Sequence, residues 1–323
     1  MIDFLKNMFT NTPTFETLIG DKIKIELSKE SSSSRPSSFL EYIGQEKAKN
    51  IIQKFIASSL KRNTTFPHTL IHGEAGMGKT TLVNIIAKNL GLPMKEVIGE
   101  TEPEKLLEIV MGLNGRILFI DEVHALKTET MEKLYSLMED FKYNGKKIPE
   151  FTLFGATTEM GEMMKRAKPF YDRFKIIVEL ERYTLADLNK IAEGYLKRKY
   201  PNDYLEKTAI STLSKNSRGT PRGLLRLIDT AICFEGNIKE TLKFFNILYN
   251  GFTDKDLRIL QYLASNEKGT GLQGLTAYLN TSQQNYLYNN EPYLIQNQMI
   301  LRTPRGRMIS PKGARLIKKL EKL

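Results

Sequence analysis

The sequence predicts an α/β chain: a parallel sheet flanked by helices around a phosphate loop, then a small all-helical lid domain and a C-terminal winged-helix domain. Two signals place the sheet. The apolar run Thr69-Leu70-Ile71-His72 leads into the turn Gly73-Glu-Ala-Gly-Met-Gly-Lys79-Thr80 and then into a helical pattern from Thr81 to Ala87. A second apolar run, Ile117-Leu118-Phe119-Ile120, ends in the acids Asp121 and Glu122. Strand, glycine-rich turn and helix in that order form a phosphate cradle. A third signal places the far end: a helix, a glycine-rich turn, two short helices and a strand pair around Ile300–Ile309 outline a winged helix.

Residues 1–34 have weak periodicity and end in a serine run, which reads as a flexible extension. From Arg35 the pattern becomes helical, with Ala48, Ile51, Ile52, Phe55 and Ile56 on one face of a helix between Gln45 and Leu60. Further β-like runs are Lys95–Ile98, Phe151–Phe154 and Arg173–Leu180. Helical patterns separate them, as in a sheet built from crossover connections. This large domain is expected over 35–182. From Thr184 to about Asn250 the chain reads as helices throughout, opened by Thr184 as a cap with Asp187 three residues on. The lid is expected over 183–250 and the winged helix over 251–323, after the break at Gly251.

Composition limits the function classes. At 323 residues with 41% apolar content, the chain can fill more than one core. The single cysteine, Cys233, excludes an intrachain disulfide framework and suits a reducing compartment. No apolar run is long enough to span a bilayer, and the first residues lack a signal-peptide pattern, so a cytoplasmic protein with no membrane partner is expected. The net charge of +11 is uneven: residues 251–323 carry 11 basic against 5 acidic side chains. A polyanion partner at that end follows.

The candidate chemistry begins at the phosphate loop. Gly76 and Gly78 let the backbone wrap with its N–H groups inward, Lys79 reaches the β- and γ-phosphates of ATP, and the Thr80 hydroxyl ligates Mg²⁺. Asp121 emerges at the C-terminal edge of its strand, where open α/β sheets bind ligands, and is placed to hold the Mg²⁺ through water. Glu122 is placed to orient and deprotonate the attacking water. Thr158 ends the next strand and is a candidate for positioning that water. Arg173 is a candidate finger acting across a subunit boundary, and Arg222, with Pro221 opening its helix, a candidate γ-phosphate contact. Arg302, Arg305 and Arg307 surround a Pro-Gly turn, a basic tip suited to gripping DNA phosphates. Lys312, Arg315, Lys318, Lys319 and Lys322 follow on a helix and add salt-dependent attraction.

Taken together, these motifs resemble the RuvB family of motor ATPases, which drive branch migration of Holliday junctions; the core motifs are shared with AAA+ ATPases in general. The resemblance runs from Arg35 to Arg315 and includes Met138-Glu139-Asp140-Phe141, Ser217–Arg222 and the most specific piece, Glu291-Pro-Tyr-Leu-Ile-Gln296 with Arg302–Arg307. It implies that Arg35, Tyr42, Ile43, Thr81, the segment Glu139, Asp140 and Phe141, and Tyr183 join the loop residues in contacting nucleotide. It also implies that Arg173 acts in trans, that Arg302 and Arg307 touch duplex DNA at four-way junctions, and that the chain forms a homo-hexamer. Three departures stand out. The family docks its junction-binding partner RuvA on a longer hairpin than 142–150, where Asn144-Gly145 suits a tight turn. Glu159 stands where the family tends to have Arg. Residues 1–34 have no counterpart. Two other functions share some of these motifs: a clamp-loader or helicase-loader switch, which does not predict the 302–307 tip, and a DNA-binding regulatory module with a weak ATPase.

Overall fold

The structure is a computed structural model, and it describes residues 34–320 except Asn114, Asn144 and Glu267. Of the extension expected over 1–34 only Ser34 is described; the rest of it, Asn144 of the expected turn and Lys322 lie outside the described residues. Five strands form one parallel sheet: β1 (Thr69–His72), β2 (Met94–Ile98), β3 (Ile117–Asp121), β6 (Thr152–Thr157) and β7 (Ile176–Glu179). Their order is β2-β3-β6-β1-β7. The three inner strands are almost wholly buried and the edge strands β2 and β7 alternate or face solvent, as a doubly covered parallel sheet requires. Because β1 lies between β6 and β7, the strand order turns back at β1. The loops after β1, β3 and β6 consequently share one edge of the sheet.

Helices α1 (Glu46–Arg62), α2 (Lys79–Leu90), α3 (Pro103–Met111), α4 (Thr128–Asp140), α5 (Met160–Arg166) and α6 (Lys168–Tyr171) cover the sheet. In α1 the buried stripe is Ala48, Ile52, Ile56 and Ser59. Ile51 is exposed, contrary to the expected face, because it sits about 100° around the helix from Ile52. Between α4 and β6 the two-residue strands β4 (Lys142–Tyr143) and β5 (Lys146–Lys147) form a minimal hairpin.

Helices α7 (Leu185–Lys199), α8 (Lys207–Asn216), α9 (Pro221–Cys233) and α10 (Ile238–Phe244) follow. The expected cap is a full capping box, with Thr184 and Asp187 exchanging hydrogen bonds. The buried residues of these helices, among them Leu188, Leu213, Leu224 and Ile228, share one cluster with the α1–α2 face of the sheet. The helical reading does not hold to Asn250: Ile247–Tyr249 is strand β8, paired antiparallel with β9 (Phe252–Thr253). Asn246, Asn250 and Gly251 all take positive φ, which ends the helix and turns the chain back on itself.

The last unit has its own core, built on Ile259, Leu260, Leu275, Tyr286, Leu294 and Ile300 among others. It comprises α11 (Asp254–Ala264), α12 (Leu272–Tyr278), α13 (Gln283–Asn289), α14 (Glu291–Gln296), the antiparallel pair β10 (Ile300–Thr303) and β11 (Gly306–Ile309), and α15 (Pro311–Leu320). Three short helices stand where two were expected, since Pro292 opens a new one after the break at Asn290. Thr270 bridges to Arg307 and adds a third strand position to the wing. A Cβ on Gly306 would lie 2.3 Å from the Thr270 carbonyl, so the close approach and the φ of 112° both require glycine. The architecture is that of a P-loop α/β core with a helical lid and a C-terminal winged helix. Among the described residues no helix is long and apolar enough to cross a membrane.

Candidate active site

The loop after β1 is held from outside by three separate segments. The Arg222 backbone N–H donates to the Gly76 carbonyl at 3.3 Å, the Tyr183 hydroxyl to Met77 at 3.0 Å, and the Tyr42 hydroxyl to Gly78 at 3.3 Å. Burial pushes both phenols above their ordinary pKa and keeps them as protonated donors. With three consecutive carbonyls taken up this way, the loop N–H groups and the first turn of α2 remain for an anion. A Cβ on Gly76 would come within 2.7 Å of the Arg222 side chain, so this glycine is what allows the lid to approach.

Lys79 is buried, and its ammonium donates to the carbonyls of Gly73 at 2.8 Å and Glu74 at 3.2 Å. Burial lowers its pKa, while Glu122 and Asp121 pull the other way. The cation is thus held at the mouth of the loop, opposite two acids.

Glu122 takes a left-handed conformation with φ 48° at the turn that follows β3. Its carboxylate accepts from the Thr158 hydroxyl at 3.2 Å and the Thr158 N–H at 3.4 Å, and lies 3.3 Å from His124 Nδ1. Thr157 shares that nitrogen at 3.0 Å and accepts the Glu159 N–H at 2.9 Å. Arg166 donates to the backbone carbonyls of His124 and Leu126, both at 2.9 Å, and braces the turn from beneath. The two acids at the end of β3 therefore do different work: Asp121, its last residue, accepts its neighbour's N–H, while Glu122, just beyond it, is oriented by Thr158 after β6. Glu159 has a raised pKa, caused first by its hydrogen bond with Glu162 and then by burial.

One cleft of about 690 Å³ gathers most of the expected nucleotide residues: Arg35, Tyr42 and Ile43 from the segment before α1; Gly76, Gly78, Lys79, Thr80 and Thr81 from the loop and α2; Asp121 and Glu122; Tyr183; and Pro221 and Arg222. Lys190, Arg198 and Arg226 also line it, and none of them stood out in the sequence. The signal was available, since Lys190, Gly194 and Arg198 recur every four residues along one face of α7. Arg198 also donates to the Ser34 carbonyl at 3.2 Å, tying the N-terminal segment to the lid.

Thr158 does not line the cleft itself but bonds to Glu122 at its edge, and four other expected residues lie elsewhere. Glu139, Asp140, Phe141 and Arg173 take no part in lining this cleft. Arg173 donates to Glu139 at 2.5 Å and sits 5.5 Å from the Tyr135 ring centre. Phe141 caps α4 and packs against Phe151 and His68.

In the wing, Arg302 donates to Glu291 Oε2 at 2.6 Å and Arg307 to Glu291 Oε1 at 2.7 Å. Glu291 is fully buried, yet its pKa is lowered: burial would raise it, and the two arginines outweigh that. The Arg302 side chain remains 59% exposed and that of Arg307 only 17%, while Arg305 is exposed at the tip. The tip is therefore anchored through Arg307, and Arg302 and Arg305 face outward.

Residues 34–180 match the Holliday junction DNA helicase RuvB P-loop domain and residues 249–318 the RuvB C-terminal winged helix domain. The chain is 35% identical over 311 residues to the Holliday junction branch migration complex subunit RuvB of Prochlorococcus marinus, covering 88% of this chain and 87% of that one. It is 37% identical over 318 residues to the subunit of the same name from Campylobacter lari, covering 89% and 92%. Among solved structures, the Thermotoga maritima RuvB Holliday junction branch migration motor superposes with a TM-score of 0.76 at 32% identity, covering 88% of this chain and 98% of that one. On fold, site and these likenesses together, the chain belongs to the RuvB family of P-loop ATPases.

Proposed function

We propose that this protein is an ATP-driven DNA translocase that promotes branch migration of Holliday junctions in recombination and repair. It would work as a homo-hexameric ring on duplex DNA, with Mg²⁺ at each nucleotide. The observation that carries the reading is that a hydrolytic set (Lys79, Asp121 and Glu122 oriented by Thr158) shares one chain with an arginine-tipped wing, while Arg173 stands outside its own cleft. An arginine so placed has a role in hydrolysis only at a neighbour's nucleotide, which favours a ring with shared sites.

In this reading Lys79 holds the β- and γ-phosphates, and Arg222 contacts the γ-phosphate from the lid. Glu122 takes the proton of the attacking water while the Thr158 hydroxyl keeps the carboxylate in place. Thr80 and Asp121 line the same cleft as Lys79. Mg²⁺, which keeps phosphate and water ligands, would be held there by Thr80 directly and by Asp121 through water. When bound, the metal would offset the charge on the phosphate oxygens. The change in lid angle after hydrolysis would pass to the wing, where Arg302 and Arg305 meet the DNA backbone and Arg307 holds the tip on Glu291. Glu139, Asp140 and Phe141 would approach nucleotide only across the subunit boundary, beside Arg173.

The β4–β5 hairpin offers only two paired residues per strand. A RuvA-type partner would find little surface there. Mg²⁺-ATP-dependent movement of a synthetic four-way junction, assayed with and without a RuvA-type protein, tests both points. The reading expects movement without the partner; movement that strictly requires it would restore the hairpin as a full docking site.

A further inference from the structure

Glu74, the second residue of the phosphate loop, is not among the residues that line the cleft. Arg182 grips it with two bonds, Nε to Oε1 at 3.1 Å and a terminal nitrogen to Oε2 at 2.9 Å. Gln296, the last residue of α14 in the winged helix, donates its side-chain amide to the same Oε1. Glu74 is thus a three-way junction: its backbone belongs to the phosphate loop, Arg182 leads directly into the lid, and Gln296 belongs to the DNA-facing unit. Its own carbonyl accepts the Lys79 ammonium at 3.2 Å. A displacement at Gln296 is therefore two hydrogen bonds from the lysine that holds phosphate.

A separate contact shows why the winged helix would pull as one piece with the lid. Arg218 lies four residues before the lid's Arg222, in the turn between α8 and α9, and takes a left-handed φ of 58°. It donates to the carbonyls of Gly251 at 3.0 Å and Asn289 at 3.1 Å, and to the carboxylate of Asp256, which is fully buried. Its guanidinium also lies 4.6 Å from the Tyr293 ring centre. Asp256 in turn accepts from Thr253 and Asn290. A buried carboxylate with this many donors does not yield readily, because separating it from Arg218 strands a charge away from water. The lid and the winged helix are joined firmly at Arg218 and meet the phosphate loop at the Gly76 carbonyl, at the Met77 carbonyl through Tyr183, and at the exposed Glu74 side chain.

We propose that Glu74 is a positioning residue that latches the joined lid and winged helix onto the phosphate loop, so that the placement of the DNA-binding unit is felt where nucleotide is held. Rotation of the joined unit about the Arg182–Tyr183 segment separates Gln296 from Glu74 and loosens the loop around Lys79. Bound DNA acts on nucleotide exchange through this contact. Only this DNA-dependent part rests on the translocase reading above.

The test uses the full chain and a fluorescent ADP in the presence of Mg²⁺, with release followed in stopped flow. Gln296→Ala is the informative variant, because Gln296 is exposed and lines no part of the nucleotide cleft. We expect Gln296→Ala and Glu74→Gln each to speed release by about three- to tenfold, as loss of a charge-assisted contact near the surface would. The double variant should release no faster than the faster single one, since both break one contact. Thermal unfolding of the variants checks that the fold is kept. Release at the wild-type rate in Gln296→Ala, or effects that multiply in the double variant, would overturn the latch. A second arm measures ATP turnover with and without duplex DNA. Stimulation of the wild type with a ratio cut about threefold or more in Glu74→Gln supports the latch; equal stimulation of both overturns it. A wild type that DNA does not stimulate counts against the translocase reading, and the release measurement still decides the latch.

Discussion

Arg173 and Glu139 meet at 2.5 Å on a face of the ATPase core that takes no part in its own nucleotide cleft. The guanidinium is oriented by Glu139 and the Tyr135 ring, so it is prearranged before any neighbour arrives. Glu139 is half exposed, and the pair would exchange partners at modest cost when a phosphate comes within reach.

From this follows a defect that acts across subunits. Arg173→Ala should lower ATP turnover by about a thousandfold while the variant still binds ATP through its own Lys79. Mixed with Lys79→Ala subunits, it should recover part of the activity, because some boundaries then join an intact loop to an intact arginine. Phosphate release measured across mixing ratios checks this, and strict absence of complementation would remove Arg173 from the reaction.

Glu122→Gln should bind ATP with little change but hydrolyse it about a hundredfold more slowly or worse, the loss expected when a general base goes. The Thr158 hydroxyl can still hold the amide oxygen, so the loop should keep its shape. Equilibrium binding of a fluorescent ATP analogue beside single-turnover hydrolysis separates the two effects. Robust turnover would reassign the base.

The wing arginines should divide by burial. Arg305→Ala should weaken duplex DNA binding, reduce the slope of log affinity against log salt by about one, and leave thermal stability unchanged. Arg307→Ala deprives the buried Glu291 of its best-covered partner and should cost stability on the order of 2–3 kcal/mol. Salt-dependent binding isotherms and thermal melts on both variants test the division.

His68 sets a pH limit on the fold. Its Nδ1 accepts the Leu153 N–H at 2.9 Å while Nε2 faces the Met138 carbonyl at 3.2 Å, an arrangement that needs the neutral ring. Burial lowers its pKa to about 4, with the Met138 carbonyl opposing. The unfolded chain therefore binds the extra proton first as pH falls. The stabilisation is complete above about pH 6.5 and is lost as pH drops toward 4, up to about 3 kcal/mol in all. Melting temperature against pH should flatten over that window in His68→Gln, and an unchanged profile would contradict the assignment.

The nucleotide half of the site was legible because backbone geometry fixes its residue types: glycines where the loop turns, a lysine and a threonine at a helix start, acids at a strand end. Those constraints are local, so a linear pattern exposes them. The latch at Glu74 and the brace at Arg218 were not legible, because each joins residues separated by dozens to hundreds of positions. The same holds for Glu291, which reads as one acid of a motif until the fold buries it between two wing arginines. The strand at Ile247–Tyr249 was missed for another reason: its short apolar run continues a helical pattern, and only the positive φ at Asn246 and Asn250 ends that pattern.

The central claim is that hydrolysis at the Lys79–Glu122 site moves DNA held by the winged helix. Its most direct measurement follows a mobile four-way junction by fluorescence while phosphate release is recorded in the same sample, for the wild type and Glu122→Gln. The account predicts that branch movement tracks phosphate release in the wild type and that both stop together in the variant. Junction movement that continues in Glu122→Gln, or brisk wild-type hydrolysis on a junction that never moves, would contradict it.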